Sequence, residues 1–222
     1  MQSEGNMSNL QQTIYETKAF HEKCLELSHG VLKRNGEWMN FWPTHFIFAF
    51  IAFNNVYNIN WQESIRRGRV CKKAFPCTSN NPTESDKMNA LIDFCCTVLG
   101  NNSAYNYYKS RLCASLSFIE NPVAEIHNVY IDSRTRNNYP EFVKVLNKVY
   151  YDAILIDDIK PEYMKKLVLF VYKVRCNTFH GSKAIDQLVD ESQQQRFRIY
   201  TAIVLSLNEL FFHTVNEMGA FN

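Results

Sequence analysis

Met88, Leu91, Ile92, Cys95, Cys96 and Leu99 follow one another in steps of three, one, three, one and three. An α-helix, with about 3.6 residues per turn, brings all of these positions to one face. The same period recurs further along the chain. Phe142, Val145, Leu146, Val149, Tyr150, Ala153 and Ile154 form a second stripe, and Leu167, Phe170, Val171, Val174 and Thr178 a third. Ile199, Ile203, Leu207, Leu210 and Phe211 form a fourth. No run alternates convincingly with period two, the mark of a half-buried strand. The chain is therefore expected to be all-α. One domain is expected over 1–222, its core over 40–218, with a helix over 8–34 packed on it. The 7 Gly and 6 Pro among 222 residues also argue against a loop-rich β fold.

Local signals place the helix ends. Pro43 suits a first helical position and opens a helix expected to reach Trp61. Its apolar stretch, Phe46 to Phe53, is far shorter than the roughly 20 residues that cross a bilayer, so it reads as buried helix. Thr83-Glu84-Ser85-Asp86 offers N-caps, and Gly100-Asn101-Asn102 a stop. A helix is expected over 104–119 and an irregular connection over 120–140. Pro161 and Glu162 open the next helix, and Gly181 is a natural residue just past its end. A last helix is expected from Asp186 to Met218, with 163–180 and 187–217 adjacent and antiparallel.

Composition narrows the function classes. Hydrophobic residues make up 46% and charged residues 21%, as in a folded globular chain rather than a disordered one. A net charge of +2 rules out a highly basic coat protein but leaves room for a basic patch. The 7 Cys fall at irregular spacings with no C-x-x-C pair, which points to reduced thiols rather than a zinc site. Met1 to Asn9 is polar and lacks the apolar stretch of a signal peptide, so a cytoplasmic location is expected, with no membrane association. No cofactor or metal is expected.

Chemistry is suggested by Arg175-Cys176-Asn177-Thr178-Phe179-His180-Gly181. Arg and His suffice for RNA strand cleavage, in which a 2′-hydroxyl attacks the adjacent phosphate. The His moves a proton and the Arg fork stabilises the added negative charge. Five residues turn a regular helix by about 500°, leaving Arg175 and His180 roughly 140° apart in direction and about 7.5 Å apart along the axis. Two arrangements bring them together: the helix unwinds before His180, or a second subunit completes the site. Spacing alone favours a plainer reading, with Arg175 paired to a carboxylate and His180 capping the helix.

The segment from Val174 to Lys183 resembles the Arg-x4-His segment of the HEPN superfamily. Ile51-Ala52-Phe53-Asn54-Asn55-Val56-Tyr57-Asn58 resembles an upstream helix of many HEPN proteins. The resemblance implies a HEPN-like helical bundle with additional helices, a homodimer with a composite cleft, and often a metal-independent endoribonuclease. It makes Arg175 the phosphate-binding residue, His180 the general acid or base, and Asn177 a polar supporter. The position after the Arg, commonly polar in active members, is Cys176. A Tyr found two residues past the His in one toxin branch is replaced by Ser182. RNA phosphates are expected on Arg66, Arg67, Arg69, Lys72, Lys73 and Lys183. Arg134 and Arg136 form a sparser pair. His127, His213 and Asp157-Asp158 are expected to be structural. The leading expectation is an RNA endonuclease, a toxin or antiviral defence effector with a regulatory protein partner. The alternative is a non-catalytic module that dimerises or binds RNA or a partner.

Overall fold

The computed structural model describes residues 4–28, 31–34, 37–66, 81–126, 133–151, 160–179 and 188–218. Helix α1 (Glu4–Leu27) leads through strands β1 (Val31–Arg34) and β2 (Glu37–Asn40) to α2 (Trp42–Arg66). Then come α3 (Glu84–Leu99), α4 (Asn101–Ser115), a 3-10 turn at Ala124–Ile126, and a short α5 (Ser133–Arg136). Helices α6 (Tyr139–Tyr151), α7 (Lys160–Phe179) and α8 (Glu191–Glu217) complete the order.

The periodic stripes become the core. Met88, Leu91, Ile92, Cys95 and Cys96 are buried, as are Phe142, Val145, Leu146 and Val149. Leu167, Phe170, Val171 and Val174 join them, with all five inward positions expected of α8. A single hydrophobic cluster contains residues from Ile14 to Val215. On α2, Phe46, Phe50, Phe53 and Tyr57 stand one above another, with successive ring centroids 5.9, 5.7 and 5.2 Å apart. Phe46 also meets Phe197 and Tyr200 of α8. The Trp42 backbone N–H donates to Gln194 Oε1 at 2.9 Å. These contacts advance together along both helices, so α2 and α8 run in the same direction. Ala153 and Ile154, the end of the α6 stripe, lie outside the described residues.

Capping explains the sharp start of α3. Thr83 Oγ1 accepts from the Asp86 N–H, and Asp86 Oδ2 accepts from the Thr83 N–H, a reciprocal capping box. Gly100, at φ 82° and ψ 145°, ends α3 by donating its N–H to Cys96 O and turns the chain directly into α4. Few L residues adopt that backbone. Asp190 caps α8 through the N–H groups of Ser192 and Gln193.

Several expected boundaries are corrected. The first helix ends at Leu27 rather than at residue 34, and β1 pairs antiparallel with β2 from Val31 opposite Asn40 to Arg34 opposite Glu37. The fold is thus helical with one two-stranded ribbon added. Residues 120–140 hold more order than expected: a 3-10 turn, α5, and the first turn of α6, where Pro140 is harmless. The last helix begins at Glu191, five residues after the expected start at Asp186. Helices α7 and α8 are packed together, with Phe170 and Tyr200 ring centroids 6.1 Å apart. No helix of the described residues is long and apolar enough to cross a membrane.

Candidate functional site

Helix α7 reaches Phe179, so Arg175 stands in its final turns. Three ion pairs and hydrogen bonds from lysines fix the helix. Lys160 Nζ donates to Asn102 Oδ1 at 2.6 Å at the start of α4. Lys165 Nζ lies 2.7 Å from Asp93 Oδ1 on α3, and Lys166 Nζ lies 2.7 Å from Glu141 Oε1 on α6. Of these, the exposed Lys166–Glu141 pair contributes about 0–1 kcal/mol. Most of the holding energy comes from the apolar stripe beneath them.

Arg175 is half-buried, and its Cζ lies 5.6 Å from the centroid of the Phe50 ring on α2. A guanidinium over an aromatic face is attracted by the ring's quadrupole, by about 0.5–1 kcal/mol where exposed and more where dry. Arg175 Nη1 also lies 4.0 Å from Cys176 Sγ. Tyr172 joins the group, its ring centroid 6.3 Å from that of Phe50. Tyr57 of α2 is fully buried. Burial pushes the Tyr57 phenol well up, the Glu84 carboxylate adds to the shift, and Arg175 opposes it. Burial also raises Tyr172, followed by the effects of Glu84 and Cys176 beside it. Both phenols therefore stay protonated at neutral pH and can act as hydrogen-bond donors. Three helices meet here, bringing Arg175, Glu84 and the two tyrosines into one group.

The other expected residues fall in varied places. His180 and Lys183 lie outside the described residues, as do Arg67, Arg69, Lys72 and Lys73. Arg66 is the last residue of α2. Asn177 is 3% exposed, so any support it gives passes through its neighbours rather than through contact with substrate. His127 and Asp157-Asp158 also lie outside the described residues, and Arg134 and Arg136 sit on α5. His213 stacks on Tyr107 with centroids 4.1 Å apart and planes within 5°. Among the described residues no group of three or more His, Cys, Asp or Glu is placed to hold a metal.

Sequence reasoning missed the partners of Arg175. Phe50, Tyr57 and Glu84 are distant in the chain, and no local spacing announces them. It also missed a cleft of about 330 Å³ between α3, α6 and α7, lined by Ser85, Glu141, Phe142, Lys166, Phe170 and Lys173. Phe170 and Lys166 point roughly 140° and 180° away from Arg175 around a regular helix. Tyr172, which meets Phe50 in the Arg175 group, also lines the cleft, so the cleft borders that group as well.

Comparison with protein-family models, curated proteins and solved structures gives no match.

Proposed function

We propose that this chain is a HEPN-type endoribonuclease, acting as a homodimer in the cytoplasm under the control of a protein partner, in toxin or antiviral defence. One observation supports the reading most. Arg175 is a half-buried guanidinium already seated on an aromatic ring at the end of α7. A fork held in place loses little freedom when it grips a phosphate, and a partly dry setting strengthens the grip. His180, five residues on, removes the proton from the 2′-hydroxyl or delivers one to the leaving group. The 2′-oxygen bonds to phosphorus as the bond to the 5′-oxygen breaks. The products are a 2′,3′-cyclic phosphate and a 5′-hydroxyl, and no metal enters the scheme.

Incubation of the purified protein with total RNA in EDTA tests this. Cyclic-phosphate ends should appear. His180→Ala should cut about 10²–10⁴-fold more slowly, the usual loss of a general acid–base group. Arg175→Lys should fail as well, because an ammonium cannot reproduce the planar two-toothed grip. Inhibition of the wild type by EDTA, or wild-type rates in both variants, would overturn the mechanism.

A second reading has its own observation. Arg175 sits among Phe50, Tyr57, Tyr172 and Glu84, where it can serve as a pin joining α7 to α2 in a non-catalytic dimerising or binding module. Under that reading no RNA pool is cut, and Arg175→Ala lowers the unfolding temperature.

A further inference from the structure

Helix α2 carries a second seated guanidinium. Arg198 of α8 has its Cζ 5.2 Å from the centroid of Trp42, at the start of α2. The Phe118 ring centroid also lies 5.5 Å from the same Cζ. Among the described residues, no hydrogen bond or ion pair engages the Arg198 side chain, so its fork of donors remains available. Phe118 is 81% exposed, the most exposed large hydrophobic among the described residues. Core packing does not account for a phenyl ring so placed. It follows α4 in a turn fixed by the buried Leu116 and Ile119 on either side. Leu116 N–H donates to Leu112 O at 3.0 Å, and Ile119 N–H to Leu116 O at 2.9 Å. The ring is thus presented by a firm backbone.

An exposed aromatic face beside a cation with spare donors matches one ligand chemistry in particular. A single nucleic-acid strand offers a flat base for the ring and an anionic phosphate for the guanidinium. Trp42 precedes Phe50, the seat of Arg175, by eight residues on α2, or about 12 Å along the axis of a regular helix. Two guanidiniums, one from α7 and one from α8, thus rest on aromatic rings of α2 that are about 12 Å apart along its axis. We infer that Trp42, Arg198 and Phe118 form a stacking subsite for single-stranded RNA, with a base on Phe118 and a phosphate on Arg198. This subsite rests on the RNA reading for its biological purpose, but it binds whether or not Arg175 and His180 cut.

The test uses the full chain carrying His180→Ala, so that the probe survives, and a fluorescein-labelled 12-nucleotide oligouridylate. Affinity is followed across salt concentrations. Phe118→Ala should weaken binding about tenfold, since stacking is worth roughly 1–3 kcal/mol per base. Its salt slope should not change, because no phosphate contact is lost. Arg198→Gln should weaken binding and also flatten the slope by about 0.7, the share of one single-strand phosphate. The exposure of Phe118 means that its truncation leaves the fold intact, and circular dichroism checks this for both variants. Unchanged affinity in Phe118→Ala would overturn the subsite, as would failure of the parent chain to bind the strand; in that case the patch faces a protein. The cutting mechanism fails on separate evidence, namely the absence of cyclic-phosphate ends from the wild type.

Discussion

At the scale of single residues, the buried polar groups reveal most about how this fold responds to its surroundings. His21 is 7% exposed on α1, with its ring centroid 5.4 Å from that of Phe212 on α8. Asn208 Nδ2 lies 3.3 Å from His21 Nδ1. Burial lowers the pKa of His21 below 6.5, and Glu209 and Glu22 offset only part of that. The unfolded chain therefore binds more protons here than the folded one as pH falls through 6.5. Stability should drop from that pH downward until the lowered folded pKa is passed. The unfolding temperature of His21→Gln should consequently fall less than that of the wild type between about pH 7 and pH 5. Identical pH profiles would assign the dependence to other groups. Neither His21 nor the Arg175 cluster was legible in the sequence beyond the Arg-x4-His spacing. Their partners come from helices separated by long stretches of chain, and burial is a property of the packed molecule.

At the scale of elements, much more was legible, and its extent follows from periodicity. Helices of three turns or more repeat their apolar face often enough to be read, which is why α3, α6, α7 and α8 were found by their stripes. The strands Val31–Arg34 and Glu37–Asn40 span four residues each, too few for alternation to stand out. The usable signal was the Asn35-Gly36 pair between them, a dipeptide favoured between paired strands. The four-residue α5 and the 3-10 turn are too short to carry any period. The ends set by chemistry are open to test. Thr83→Ala removes the side-chain half of a capping box and should cost about 0.5–2 kcal/mol in urea unfolding. A change within experimental error would mean that the Asp86 carboxylate alone sustains the cap. At Gly100 an added Cβ would meet nothing within 4 Å, so crowding is not at issue. The backbone at φ 82° is the obstacle, and Gly100→Ala should still lose about 1–3 kcal/mol.

At the scale of the whole molecule, the proposed chemistry depends on how many copies build one site. Helix α7 remains regular through Arg175 and on to Phe179, so this chain brings its cation to the helix end without a break before residue 180. A regular helix sets residues five apart about 140° from each other, which is poor convergence on one phosphate. A two-fold partner removes the difficulty by placing its own residues across the cleft. Light scattering at micromolar concentration should therefore give twice the 26.0 kDa of a single chain. Mass alone does not show that the site is shared, but mixing subunits does. Arg175→Ala and His180→Ala homodimers should each be inactive. Unfolded together and refolded, they form mixed dimers that retain one intact Arg175 and one intact His180 on opposite subunits. If each phosphate is gripped by Arg175 of one subunit and served by His180 of the other, these mixed dimers recover cutting at up to about half the wild-type rate per dimer, since one of the two sites is whole. If both residues act from the same chain, mixing restores nothing, and the unwinding of α7 past Phe179 becomes the arrangement that brings them together.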